Sequence, residues 1–194
     1  QLNAVILAVT DDHPMLLTTS REGGDEHAIP SGQLAPDRDR TLELALRRIV
    51  REQVGLDLAY VEQLYTFGEP DRDPRERVIT VAYYALIPSE QVSLCAATDA
   101  EAVGWFGMDE LPPLAFDHAG IVRMAHERLA AKLDYSTIAF QFMGPEFTLT
   151  ELQSVYEIIL QEDIDKRNFR KWILAMEKIE ETGGEQREGA HRPA

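Results

Sequence analysis

The chain has a single cysteine, Cys95, in 194 residues. That excludes an intramolecular disulfide and suits a reducing, cytoplasmic compartment. Cys95 follows Val92 and Leu94, a setting for a buried thiol and not for a nucleophile. No apolar run approaches the ~18 residues needed to span a bilayer, so no membrane segment is expected. Basic residues are scarce. Lysine and arginine number 19 against 34 acidic residues, a net charge of -15, which excludes a protein that coats nucleic acid by bulk charge. Any contact with DNA must come from a local basic patch. No secretion leader is legible, and the chain opens on Gln1 inside a strand, so residues upstream of it are expected. What is present in quantity is apolar side chain, 44%. That supplies a core for one domain, or for a domain plus a small module.

The apolar, partly β-branched run Leu2–Thr10 has strand character, and Asp11, Asp12, His13 and Pro14 form a turn that sends residues 15–19 back as a second strand. His13 is expected to be solvated there, and residues 21–26 form another loop. A helix is expected over Leu42–Val54. Thr41 or Asp39 caps it, Leu42, Ala45, Leu46, Ile49 and Val50 make one apolar stripe, and Gly55 supplies a left-handed stop. Strands are expected over 58–67, 78–86 and 101–106, with a polar loop at 68–77 and a short helical turn at 108–111. Trp105 suits the core better than a stacking surface. Asp117 is placed to cap a long helix carrying Ile121, Met124, Ala125 and Leu129. His118 reads as a structural hydrogen-bonding residue, and His126 lies too far along the helix to share a metal with it.

Gly144-Pro145 breaks the chain. Thr148 and Glu151 then match a capping box for a helix running through Val155, Tyr156, Ile158, Ile159 and Leu160. Asp165 caps a second helix whose apolar face is Phe169, Trp172, Ile173 and Met176. A glycine-rich stretch at 182–189 suits a hairpin. Two short helices and a hairpin are the plan of a winged helix-turn-helix. Lys166, Arg167, Arg170 and Lys171 cluster at the start of the second helix, the positive end of its dipole and the end that enters a major groove. The cations suit phosphates, and Asn168 suits an adenine edge. From the wing, Arg187, His191 and Arg192 brace the backbone. The competing reading is a solvated basic face balancing nearby carboxylates.

Residues 48–56, Arg-Ile-Val-Arg-Glu-Gln-Val-Gly-Leu, resemble the end of a Nudix box, G-x5-E-x7-R-E-U-x-E-E-x-G-U with U aliphatic. Pro30-Ser31-Gly32 stands where Nudix proteins carry Pro-Gly-Gly. A working box lines one helix face with carboxylates that hold Mg2+ on a diphosphate. Here Arg48, Val50, Gly55 and Leu56 match, but the three acidic positions read Ile49, Glu52 and Gln53. The segment 33–40 is about two residues too long, and its expected Glu is replaced by Asp39 or Arg40. The resemblance therefore implies a Nudix fold that has lost hydrolysis, with no catalytic residue and no metal site. The 68–77 loop resembles the segment with which ADP-ribose-handling Nudix domains approach their ligand. Arg72, Arg75 and Arg77 can neutralise a pyrophosphate by forked hydrogen bonds without a metal, and Arg48 and Glu52 complete the expected ligand set. The same arginines equally suit a solvated loop in which Asp71, Asp73 and Glu76 pair with them.

Two further stretches carry a closer resemblance. These are Pro113-Leu114-Ala115-Phe116-Asp117-His118, and the tail from Phe147-Thr148-Leu149 through Asp165-Lys166-Arg167-Asn168-Phe169-Arg170-Lys171. The chain resembles the Nudix-related transcriptional regulators of NAD metabolism, the NrtR family with its NadQ-like members. The resemblance implies an α+β chain: a Nudix fold, a mixed sheet between helices, over 1–140, then a winged helix over 145–194. It implies a dimeric bacterial repressor of NAD biosynthesis or salvage genes that binds double-stranded operator DNA. The Nudix part would sense ADP-ribose or a related effector such as NAD or ATP, with no bound cofactor. The family's wing segment maps onto Arg192-Pro193-Ala194, so the strand closing the wing is expected beyond Ala194. Two rivals stand beside it. One is an active hydrolase of ADP-ribose or another nucleoside diphosphate derivative, using Glu52 with Glu43 or Glu62. The other is an adaptor whose C-terminal helices bind a protein.

Overall fold

The computed structural model describes residues 1–10, 13–20, 26–96 and 103–182, with the side chains at 93–96 outside that set. The turn at 11–12, the loop at 21–25, the side chain of Cys95, the hairpin beyond Thr182 and the wing residues Arg187, His191 and Arg192 lie outside the described residues.

The central strand is β1 (Leu2–Thr10), buried from Leu2 through Val9. Side chains alternate across a strand, so a strand buried throughout needs a layer on each face. Leu2, Ala4, Ile6 and Ala8 join one hydrophobic cluster and Val5, Leu7 and Val9 the other. The strand β6 (Thr80–Leu86) runs parallel to β1, from Leu2 opposite Val81 to Leu7 opposite Leu86, and divides its side chains the same way. The strands β2 (His13–Ser20) and β5 (Tyr60–Phe67) are antiparallel to β1 and β6 respectively. Beyond the paired residues 7–10 and 13–16, β1 takes β4 (Ser31–Gly32) and β2 takes β3 (His27–Ala28). A final strand, β7 (Val103–Gly107), pairs with β2. The sheet order is β3-β2-β1-β6-β5. In β5 the pairing slips between Gln63 and Tyr65, so that Leu64 turns into the core, 4% exposed.

On one face lies α1 (Leu42–Val54), burying Ala45, Leu46, Ile49, Val50 and Val54. Thr41 caps it by accepting from the Leu44 amide, and Gly55 ends it at φ 71°. Leu42 departs from the expected stripe. It is 38% exposed in the first turn, ahead of Ala45, the first residue of the helix to be buried. On the other face lie α3 (His118–Leu133), a 3-10 turn (Ile138–Phe142), α4 (Leu149–Leu160) and α5 (Lys166–Ala175). Leu152, Val155, Tyr156 and Ile159 of α4 and Phe169 and Ile173 of α5 share one cluster with β1, β6 and α3. Tyr156 meets Phe169 and Trp172 edge-on at 5.3 and 5.4 Å. The capping box forms in full, Thr148 and Glu151 each accepting from the other's amide.

Two elements differ from the sequence reading. The helix α2 (Ser89–Ala96) gives no helical signal, because Val92, Leu94 and Ala96 alternate as in a strand. Residues 108–111 form a turn, closed by the Glu110 amide on the Gly107 carbonyl, and Pro112-Pro113 stops it from growing into a helix. His13 is exposed as expected but stands in a strand, as the first residue of β2.

Gly32 admits α1 to the sheet. A Cβ there would stand 2.9 Å from Ile49 Cγ1 and 3.0 Å from its Cδ1. Gly32→Ala should therefore overpack a buried contact and lower stability by about 1–3 kcal/mol, read from urea unfolding. Ile49→Ala in the same chain should recover part of that loss.

Candidate functional site

The box end of α1 is closed by its own neighbours. Ile49 is 3% exposed and packs in the core. Glu52 accepts from Arg48 at 2.9 Å, and Arg38 lies 4.0 Å from its other oxygen. Gln53 bonds the backbone of Ser31 twice, its Nε2 donating to the carbonyl at 2.7 Å and its Oε1 accepting from the amide at 3.2 Å. Only an amide can do both, since a glutamate has no donor for the carbonyl. Among the described residues no group of three or more His, Cys, Asp or Glu is placed to hold a metal ion. The carboxylates named for the hydrolase reading are engaged elsewhere. Glu43 holds Arg47, and Glu62 holds Lys132 and the Tyr60 hydroxyl.

Arg48 is similarly committed. It forks onto Asp39, Nε at 2.9 Å and Nη2 at 2.7 Å, and also donates to Glu52 and to the Gln33 carbonyl. Asp39 therefore neither caps α1 nor stands free as a box acid. Its side chain is 3% exposed and it also accepts from the Ala35 amide. The Arg48 bond, followed by the amide, lowers its pKa to about 2.

The three loop arginines separate into different roles. Arg72, expected at the ligand, is instead enclosed, its side chain 2% exposed and forked onto Asp117 at 2.9 and 2.8 Å. Asp117 does precede α3, but its carboxylate makes no capping bond. A bidentate fork onto a guanidinium outweighs a single bond from a backbone amide. Arg75 forks onto Asp73, keeps 63% of its side chain exposed and lies 5.0 Å over the Phe116 ring. Arg75 lowers the pKa of Asp73 to about 2. Arg77 is exposed. Phe116 itself sits at φ 56°, a conformation that costs energy for a side chain of that size.

Next in the chain, His118 is 2% exposed. Its Nδ1 accepts from the Ile29 amide and its Nε2 lies 3.0 Å from the Asn3 side-chain amide, which also bonds Thr80. The 68–77 loop, the start of α3 and the box end of α1 are thus joined through the first residues of β1, which pair with Ser31 and Gly32. Sequence reasoning gave His118 its structural role but missed Asn3 and Thr80, which look like ordinary strand residues. It also missed Asp117 as the partner of Arg72, two residues 45 positions apart.

A cavity of about 610 Å3 lies elsewhere, between the β2–β7 end of the sheet and the C-terminal end of α4. Asp109, Glu157, Glu162, Asp163, His13 and His126 line it, with no lysine or arginine. Burial lowers the pKa of His126. Such a lining repels a diphosphate.

On α5, Lys166, Arg167, Asn168, Arg170 and Lys171 are all exposed, while Phe169 and Ile173 point inward. Asp165 caps the helix by accepting from the Asn168 amide at 2.9 Å. The five predicted DNA-facing residues thus all stand on the solvent-exposed part of α5.

Comparison with known proteins identifies both parts. The NUDIX domain matches residues 1–125, and the NrtR DNA-binding winged helix domain matches residues 139–194. The crystal structure of Shewanella oneidensis NrtR superposes with a TM-score of 0.87 at 30% identity, over 94% of this chain and 87% of that one. The chain belongs to the NrtR family. The same Shewanella family member complexed with a 27mer DNA gives a TM-score of 0.87 at 29% identity, covering 98% of this chain and 89% of that one. Its NUDIX domain complexed with ADP ribose gives 0.58 at 28% identity, covering 66% and 86%. The ADPR responsive transcriptional repressor NtrR of Acinetobacter baylyi is 35% identical over 80% of this chain. The chain spans 62% of that protein's length. An ADP-ribose pyrophosphatase of Methanocaldococcus jannaschii is 32% identical over 50% of this chain and 54% of its own length. Among the described residues, no helix is long and apolar enough to cross a membrane.

Two outcomes follow for the ion pairs. Asp39 and Asp73 have folded pKa values below the unfolded value of about 4. Their stabilisation is therefore full above pH ~4 and lost as pH falls towards ~2. Thermal melts of the wild type should drop steeply across that window, and those of Asp39→Asn should start lower and drop less. Asp117→Ala strands a buried guanidinium and should cost about 3–5 kcal/mol. Arg72→Ala should cost less in the same urea titration, because Asp117 is 27% exposed and can take water.

Proposed function

We propose that the protein is a cytoplasmic transcriptional repressor that binds operator DNA through α5 and its wing and senses ADP-ribose or a kindred NAD-derived nucleotide through a Nudix domain that no longer hydrolyses it. The observation that carries this reading is the outward row of cations on α5, set on a helix whose other face is locked into the core. In an acidic chain that row is a local attractor for phosphate, so specific contacts and not bulk charge must supply the affinity. The complexes that Shewanella oneidensis NrtR forms with a 27mer DNA and, through its NUDIX domain, with ADP ribose support both halves of the proposal. Loss of hydrolysis is supported by the three box positions: one is in the core, one on an arginine and one on the backbone of Ser31.

Arg75 and Arg77 have surface to offer a pyrophosphate, while Arg72, held by Asp117, positions their loop. Arg48 and Glu52, paired with each other, shape the box end. Two copies of the chain, each offering one α5, would read two half-sites at a spacing set by their dimer. A nucleotide shifts that arrangement only by binding one geometry better than the other. The domain limits best suited to this reading are 1–140 for the sensor and 145–194 for the reader.

The decisive experiment combines a gel shift with a nucleotide titration. Replacing Arg167 and Arg170 by alanine should abolish retention of operator duplex and leave the ADP-ribose isotherm unchanged, and retained DNA affinity would refute the assignment of α5. In parallel, ADP-ribose incubated with Mg2+ should be recovered intact. Turnover that Glu52→Gln abolishes would favour the hydrolase.

A further inference from the structure

Two large apolar side chains of α5 reach solvent, Trp172, 37% exposed and packed on Tyr156, and Leu174, which lies among the cations. Leu174 is 56% exposed. It follows Arg167, Arg170 and Lys171 by seven, four and three residues, the spacing of one helix face. At about 100° per residue these four side chains fall within a sector of roughly 100°, centred away from Phe169 and Ile173. Leu174 is flanked on that sector by the cations. Its neighbour Ile173 is fully buried and Trp172 packs on Tyr156, so among the described residues these side chains and not Leu174 make the inner face of α5.

A cationic surround makes this a poor place to seat an apolar protein surface, which would desolvate three charges. It is a good place to meet a major groove. There the flanking phosphates take the cations, and the floor offers one apolar group, the 5-methyl of thymine. Asn168, the uncharged polar candidate for a base edge, lies six residues earlier, about 9 Å along the helix axis. That is nearly three base steps at ~3.4 Å each. The two residues therefore address different base pairs.

From this placement we infer that Leu174 is a specificity-determining residue of the DNA site, reading a thymine through its 5-methyl group. The inference rests on the DNA-binding reading of α5 and adds to it a base preference within the half-site.

The test uses the full chain. A random duplex pool is enriched on the protein, and each thymine of the selected duplex is then replaced in turn by deoxyuridine, which removes only the methyl. The wild type should lose about fourfold in affinity at one thymine per half-site, the worth of one methyl kept from water. Leu174→Ala should lose a similar amount on the unmodified duplex and should no longer distinguish thymine from uracil at that position. Leu174→Met, which keeps apolar reach, should restore much of the discrimination. If Leu174→Ala keeps the full uracil penalty, or if no thymine is penalised in the wild type, the inference is overturned while the DNA site stands. If the pool does not enrich, or Arg167→Ala leaves retention unchanged, the DNA reading fails and takes this one with it.

Discussion

A strand buried on both faces sets the terms for the rest of the molecule. Because β1 has no solvent-facing residue between Leu2 and Val9, it needs one layer from α1 and another from α3, and the second layer is completed by α4 and α5. The winged-helix domain is therefore built onto the core of the Nudix domain: Phe169 and Ile173 of α5 lie in the same cluster as Val5 and Leu7 of β1. Once those two residues face inward, helical periodicity leaves Arg167, Arg170 and Lys171 no place but the outside. The charge distribution on the outer face of α5 follows from the packing.

The side chains at the end of the Nudix box are each engaged in a structural role. Ile49 fills the space opened by Gly32, Gln53 closes the segment that follows Pro30, and Arg48 and Glu52 hold each other. Two of these roles need chemistry that a carboxylate lacks, an apolar side chain at Ile49 and an amide with both a donor and an acceptor at Gln53, while Glu52 keeps its carboxylate and pairs it with Arg48. A carboxylate facing the Ser31 carbonyl would be repelled by it, so a simple reversion at position 53 opposes the local structure. Similar logic applies to Asp117, where the fork onto Arg72 displaces the helix cap that its position suggests.

Much of this was legible in the chain. The strand and helix periods around β1, α1 and β6, the capping box at Thr148 and the burial of Phe169 and Ile173 on α5 all rest on spacings within a few residues, whereas Trp172, read as part of the same apolar face, is 37% exposed. What escaped was non-local or not periodic. The Arg72–Asp117 fork joins distant segments and leaves no local trace. Asn3 and Thr80 are polar residues in apolar strands, and Asn3 joins Thr80 to His118, far along the chain. The alternating apolar residues of α2 mimic a strand, and Leu174 was invisible as a surface residue until the orientation of α5 was known.

The slipped pairing in β5 has its own consequence. This strand ends the order β3-β2-β1-β6-β5, and a straight margin of that kind would offer its free backbone groups to any extended chain that drifted past. The additional residue at Leu64 interrupts the spacing of those groups and increases the local twist, so a foreign strand could match only a few of them before falling out of step. One inserted leucine thus anchors the core and also guards the flank of the sheet against fibrous stacking.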